Sequence, residues 1–465
     1  MPLLHDASVG STTIYKRTWA VWRSYHHLHQ TVFYLYCYNI VMSLIVTKFG
    51  GTSVATPERM LKTAQRLVDY QQQGHKVVAV VSAMGKSTDD LLALAHEVNP
   101  NPPAREMDVL LNTGELVSMS VLAMSIASLG VKAKSFTGHQ AGIVTTGRHN
   151  KAQISHIKAT RLKQALDEDN IVIVAGFQGE TKTGELTTLG RGGSDTSAVA
   201  LAAALEADIC EIYSDVDGVY TADPRVVPRA QKLESISYEE MLELAAAGSG
   251  VLQMRAVEFA RNFKVALRCR SAFSDNSGTL VKEEAMEQAI VSGIAYDNSE
   301  AKVTIRGVPD TAGIAADVFG AIAKANINVD MIVQNISEHG FTDISFTAPA
   351  GDTERLSLVL DKQMSKLGAR EYLVDKNITK LSLVGAGLRT NPGIAAKMFK
   401  VLSQNDINIE MISTSAIRIS VVIAAKHSKV AQQALHTAFG LDSKQVFKED
   451  TLSAEELADK AKKGR

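Results

Sequence analysis

Three short stretches carry residues able to handle an anionic group. The run Thr187-Thr188-Leu189-Gly190-Arg191-Gly192-Gly193-Ser194-Asp195 sets a guanidinium and a carboxylate among three glycines. Glycine permits dihedrals that other residues avoid, so successive N–H groups can turn toward one anion. The alanine-rich stretch that follows is a strong helix former, with Ser194 expected as its N-cap. The loop would then end on a positive helix pole, a seat for phosphate. Arg191 adds a planar fork suited to a carboxylate or phosphate. Lys48-Phe49-Gly50-Gly51 supplies another cation and a second glycine pair. In Ser214-Asp215-Val216-Asp217-Gly218-Val219-Tyr220-Thr221-Ala222-Asp223-Pro224-Arg225, Tyr220 can face a base and Arg225 a phosphate, although Asp-Gly and Asp-Pro also read simply as turns. Gly85-Lys86-Ser87 looks like the end of a P-loop, but the leading glycine would fall at Val80, so that reading fails.

The elements that must position these residues alternate. A strand is expected over 44–49, a turn over 50–53 and a helix over 57–73, with Pro57 as a good first residue. A buried strand over 76–81 leads to Ser82, and a long helix over 105–129 carries Glu115 beside Gly114. Strands follow over 132–136, 171–176, 210–214 and 265–271, with a helix over 238–247 and a further stretch over 251–262. Such alternation implies an α/β domain with a mostly parallel sheet and a cleft at the strand C-terminal ends. The glycine turns fall at those ends.

The last third repeats itself 80 residues on: Gly313-Ile314-Ala315-Ala316 recurs as Gly393-Ile394-Ala395-Ala396, and Ile327-Asn328-Val329-Asp330-Met331-Ile332 as Ile407-Asn408-Ile409-Glu410-Met411-Ile412. Each unit reads strand, Gly turn, helix, Asn turn, strand, so two copies of a small α/β module are expected.

Composition excludes several classes. A net charge of −1 gives no argument for nucleic acid or a membrane surface, and 45% hydrophobic with 21% charged residues describes a soluble globular chain. The three cysteines form no CxxC pair and the histidines no HExxH, which argues against a disulfide framework or zinc site and fits a reducing cytoplasm. Residues 1–41, which hold both tryptophans, show no regular period and are expected to be upstream sequence before a start at Met42, or a disordered extension. Residues 451–465 read as a charged tail.

Taken together, Lys48-Phe49-Gly50-Gly51-Thr52-Ser53-Val54, Ser82, Gly114-Glu115, Phe177-Gln178-Gly179, the 187–195 run and the 215–225 loop resemble the aspartate kinases (aspartokinases). The resemblance runs from about 42 to about 447, and the order and spacing of the motifs are more specific than any one of them. It implies an amino-acid kinase domain over 42–285, a mostly parallel sheet between helices, followed by two α+β ferredoxin-like ACT domains over 290–375 and 376–450. The implied reaction transfers phosphate from MgATP to the β-carboxylate of L-aspartate, the first step toward lysine, threonine and methionine. Lys48, Gly50 and Gly51 would hold the phosphates, with Ser214, Asp215, Tyr220 and Arg225 lining the nucleotide site. Ser82, Thr88, Glu115 and Arg191, with Gly192, Gly193 and Ser194, would hold aspartate, and Asp195 would sit beside the transferring group. No metal site built by the protein alone is implied. Lysine or threonine, or both, would inhibit by touching Asp310, Gly313, Asn328, Val329, Asp330 and Gln334 on one side and Ile394, Asn408, Ile409 and Ser415 on the other. Relatives of this length form homo-oligomers or α2β2 assemblies whose β chain starts internally, here at Met254 or Met286. Two departures stand out: Gly250 where some relatives carry Lys, and Ala416 where many carry Glu. A glutamate-type kinase and an inactive ligand-sensing subunit are the alternatives.

Overall fold

A computed structural model describes residues 43–283, 290–335 and 340–443. The readings of 1–41, of Met286 and of the charged tail fall outside those residues.

Leu44–Phe49 lies within an eight-stranded sheet, flanked on one side by Lys76–Val81, Ile171–Ala175 and Ala133–Phe136. On its other side come Ile209–Ser214, Leu267–Ser271, Thr279–Lys282 and Ser235–Ser237. The six strands from Ala133–Phe136 to Leu267–Ser271 are all parallel; Thr279–Lys282 is antiparallel to Leu267–Ser271, and Ser235–Ser237 pairs parallel to it, so these last two run opposite to the six. A parallel sheet needs cover on both faces, and period-two alternation supplies it. Val78, Val80, Val172 and Val174 face a core with helix Gly193–Leu205, while Val77, Ala79, Val81, Ile171 and Ile173 face Met60, Leu67, Leu122 and Ile126. Met60 and Leu67 come from helix Pro57–Gln72, and Leu122 and Ile126 from Ala104–Ser128. The second helix is by length and composition able to cross a membrane, but here its apolar stripe packs on the sheet. Cys210 and Cys269 are inside the same core, where burial pushes the Cys269 thiol up to about 12.

A four-stranded sheet lies beside this core in the order Ile154–Ile157, Ile143–Thr145, Gln178–Thr181, Leu186–Thr188. Its last strand delivers the chain into the glycine-rich loop.

The repeat folds as two α+β modules, each a four-stranded antiparallel sheet carrying two helices. In the first, Ile332–Gln334, Phe341–Pro349, Glu300–Pro309 and Glu371–Asp375 are neighbours in that order. In the second, the order is Gly293–Asp297, Ile378–Val384, Arg418–Ala424, Met411–Thr414. This corrects the expected boundary, which put 290–375 wholly in the first module. Gly293–Asp297 is an edge strand of the second, so the first module is inserted between that strand and the rest of its sheet. Edge pairing between residues as far apart as Gly293 and Val384 leaves no local pattern to read. Met331, Ile378, Met411 and Val422 form a small apolar cluster where the modules meet.

Candidate active site

Parallel strands place the C-terminal ends of Leu44–Phe49, Lys76–Val81 and Ile209–Ser214 side by side. Lys48 is the penultimate residue of its strand, and its Nζ lies 2.6 Å from Asp195 Oδ1 in the first turn of Gly193–Leu205. Both side chains are nearly buried, at 13% and 9% exposure. Asp195 Oδ1 is buried and accepts no directed hydrogen bond, so this contact is ionic. Gly51 docks its turn on the loop after Lys76–Val81: a Cβ there would fall 2.7 Å from the Ala83 carbonyl oxygen.

The N-cap of Gly193–Leu205 is Gly192, not Ser194 as expected. Gly192 adopts φ +68°, a left-handed value that glycine takes at little cost, and this starts the helix early. A Cβ at Gly192 would also collide with Gln253. Ser194 is therefore inside the first turn and buried. No side chain caps this terminus; the Gly193 N–H donates to the Gly190 carbonyl at 2.9 Å, while Asp195 of the same first turn pairs with Lys48, and a helix N-terminus of this kind suits an anion.

Glu115 is 3% exposed on helix Ala104–Ser128. Its Oε1 accepts the Ala83 N–H at 3.0 Å, while Oε2 is buried with no partner. Burial pushes the carboxyl up to about 7, against a smaller downward pull from the Ala83 amide. An unpaired, costly acceptor of this kind fits a cationic ligand group. Ser82 follows strand Lys76–Val81 and donates its N–H to the Phe49 carbonyl. Thr88 sits in the first turn of Ser87–Val98. Arg191 is exposed and makes no hydrogen bond or ion pair among the described residues. An unpaired guanidinium and a buried, half-satisfied carboxylate are the charge types that the two poles of an amino acid would take.

Ser214, Asp215, Tyr220 and Arg225 all line one cleft of about 550 Å³. Arg225 grips Asp223 in the same loop, Nε to Oδ1 at 3.0 Å and Nη2 to Oδ2 at 2.8 Å. A phosphate would compete with Asp223 for that fork. Sequence reasoning missed two of the walls: Gly248-Ser249-Gly250-Val251 and Ile294-Ala295-Tyr296. The second comes from the edge strand of the second α+β module, and Ile294 N–H donates to the Thr221 carbonyl at 2.8 Å. Only Gly250, noted above for lacking a lysine, was a signal.

A magnesium ion fits the donor set in one way. Among the described residues no group of three or more His, Cys, Asp or Glu side chains stands ready to hold a metal. Asp195 is one nearly buried carboxylate whose Oδ1 is 2.6 Å from Lys48 Nζ, so a metal held by it would share the carboxylate with that ammonium. Mg²⁺ suits such a site, since it binds through one or two carboxylates plus substrate phosphates.

The modules bring segments 328–334 and 408–415 together around Met331 and Met411. Gly313, at φ +99°, is the N-cap of Ile314–Lys324 with no side-chain cap, and Asp310, Asn328 and Asn408 are exposed. Val329, Ile394 and Ile409 are half-buried, and Gln334 ends its edge strand. Asp330 is already paired, at 2.8 Å from the buried Lys380, which also holds Glu300 at 2.6 Å. Burial works against the Lys380 ammonium, but Glu300 and Asp330 outweigh it and raise its pKa. Arg418 reaches Glu243 at 3.1 Å, and Ser415 Oγ donates to the same carboxylate at 3.2 Å. Glu243 lies on Tyr238–Ala246, the helix that leads into the Gly248–Val251 wall.

Comparison with known proteins agrees with this architecture. Residues 43–271 match the model of the amino acid kinase family, and 303–367 and 381–439 match two ACT domain models. The aspartokinase of Corynebacterium glutamicum is 54% identical over 407 residues, 86% of this chain and 97% of that one. The aspartokinase of Mycolicibacterium smegmatis is 53% identical with the same coverage. Among solved structures, E. coli aspartokinase III with aspartate and ADP (R-state) matches with a TM-score of 0.74 at 26% identity, covering 85% of this chain and 99% of that one. The same enzyme with lysine and aspartate (T-state) matches with a TM-score of 0.68 over the same shares.

Proposed function

The chain belongs to the aspartokinase family and is an aspartate kinase, and from that premise we propose that MgATP phosphorylates the β-carboxylate of L-aspartate between Lys48, Asp195, Glu115 and Arg191. The observation that carries this reading is the buried, partnerless Oε2 of Glu115, with the unpaired guanidinium of Arg191 in the glycine-rich loop as the candidate cation. Glu115 takes the substrate ammonium and Arg191 its α-carboxylate, which leaves the β-carboxylate directed at the Lys48 end. A carboxylate is already a nucleophile, so positioning and charge stabilisation supply most of the acceleration and no strong base is needed. Lys48 draws charge from the transferring phosphate, and Asp195 orients Lys48. Asp195 would hold Mg²⁺ brought in with the nucleotide, and the ion would add to the neutralisation of phosphate charge. Initial rates of ADP release with aspartate and with glutamate test the choice of substrate; equal kcat/KM for the two would reject it. Inactivity with both would leave the ligand-sensing subunit.

The regulatory part of the proposal has lysine or threonine bound where the modules meet, with Asp310, Gly313 and Asn328 opposite Asn408, Ile409 and Ser415. The Asp330–Lys380 pair and the Arg418–Glu243 contact supply a path toward the nucleotide wall. An effector that prefers the inactive state tenfold does so by ~1.4 kcal/mol. Asp310→Ala and Ser415→Phe are expected to relieve inhibition at unchanged uninhibited kcat, and Ala416→Glu to tighten it. Inhibition curves for the variants that coincide with wild type would remove these residues from the effector site. A homo-oligomer, or an α2β2 assembly with a β chain starting at Met254 or Met286, and a cytoplasmic setting complete the proposal.

A further inference from the structure

We propose that Asp108 is a positioning residue for the amino-acid substrate, holding the Arg191 loop at a fixed distance from Glu115. The inference rests on the reading of Arg191 and Glu115 given above. Asp108 is fully buried on helix Ala104–Ser128, seven residues before Glu115, so both carboxylates lie about two turns apart on one rigid element. Its Oδ1 accepts the Thr188 hydroxyl at 2.5 Å, and its Oδ2 lies 2.7 Å from His149 Nδ1. Both oxygens also accept the Asn150 N–H at 3.1 Å. Thr188 ends the strand Leu186–Thr188, three residues before Arg191.

The loop beyond Thr188 is seated on the same segment that Asp108 holds. Gly190, at φ +80°, passes so close that a Cβ would fall 2.9 Å from the Asn150 carbonyl oxygen. From the other side Arg255 donates to the carbonyls of Leu189 and Ala152, each at 3.0 Å. A single helix therefore sets both poles of the pocket. Glu115 faces the ammonium directly, and Asp108 fixes the carboxylate-binding arm through Thr188 and the 149–150 turn. A buried carboxylate held by an imidazole, a hydroxyl and a backbone N–H is weak evidence for a stabilising role, which favours a geometric one.

Thr188→Val removes the hydroxyl that reaches Asp108 and keeps the side-chain volume, while Thr188→Ser restores it. We expect Thr188→Val to raise KM for the amino acid roughly tenfold, with KM for ATP within twofold of wild type, and Thr188→Ser to return KM to near wild type. Asp108→Asn is expected to show the same split more strongly. Measurements use the full chain and whichever amino acid the wild type phosphorylates, so failure to use aspartate would sink the substrate reading while the KM split still decides this one. An unchanged amino-acid KM in Thr188→Val, or equal rises in both KM values, would overturn the proposal whatever the melting temperature.

Discussion

Lys48→Ala is expected to lower kcat by on the order of 10²–10³, the usual loss on removing one preorganised donor from a site of developing charge. The strand end fixes its ammonium beside Asp195, which lies in the first turn of Gly193–Leu205, a helix with no side-chain cap. Charge on a transferring phosphate would thus meet a cation, a helix pole and any Mg²⁺ within one small volume. From the sequence alone Lys48→Ala should leave folding nearly untouched. The Lys48–Asp195 contact changes that expectation, because the variant leaves a nearly buried carboxylate without its cation. Breaking a buried pair costs roughly 3 kcal/mol, so a lower melting temperature accompanies the rate loss. Lys48→Ala/Asp195→Asn should recover stability without recovering rate. Retention of more than half of wild-type kcat in Lys48→Ala would remove Lys48 from the phosphate site.

The second large effect belongs to Glu115. Glu115→Gln is expected to raise the aspartate KM by roughly 10–100-fold, since a charge-assisted contact worth ~1.5–3 kcal/mol is lost. KM for ATP should stay within about twofold. A pH dependence sharpens the test. Burial raises the Glu115 carboxyl from 4.5 to about 7, so below neutral pH the free enzyme holds it protonated. An ammonium needs the ionised form, so kcat/KM for aspartate should fall up to about tenfold per pH unit below 7. That inflection should vanish in Glu115→Gln. Stability runs the opposite way. The folded-state pKa is raised, so between pH 4.5 and 7 the folded chain keeps a proton that the unfolded chain releases, and stability falls as pH rises. Above that window the ionised carboxylate costs about 3 kcal/mol in the absence of substrate. Glu115→Gln should therefore be the more stable protein at pH 8 and no more stable than wild type at pH 4. An inflection near 7 that survives in Glu115→Gln would assign it to another group.

Local pattern made the kinase framework legible. Leu44–Phe49, Lys76–Val81 and Ile171–Ala175 are short β-branched runs, and each ends in a small or glycine-containing turn that only a strand end with a cleft beyond it explains. The regulatory modules were visible through the fixed 80-residue offset of Gly313 with Gly393 and Met331 with Met411. Contacts between distant segments were not visible. Nothing beside Gly293–Asp297 reveals that its partner is Ile378–Val384, and nothing near Asp330 reveals Lys380. Ser194 was misplaced as a cap because Ser is the better cap by side chain, while the left-handed glycine before it wins on backbone geometry. Glu115 was legible as a charge but not as a buried one. Asp108 passed unnoticed, since its partners Thr188 and His149 lie 80 and 41 residues away.

The central claim is that this cleft directs the β-carboxylate of aspartate at the terminal phosphate of ATP. Trapping the acyl phosphate with hydroxylamine in the presence of MgATP and aspartate tests it most directly, because the hydroxamate records which carboxylate was activated. The account predicts aspartate β-hydroxamate, formed by the wild-type chain and reduced by on the order of 10²–10³ in Lys48→Ala. Aspartate α-hydroxamate, or no hydroxamate while glutamate gives one, would contradict it.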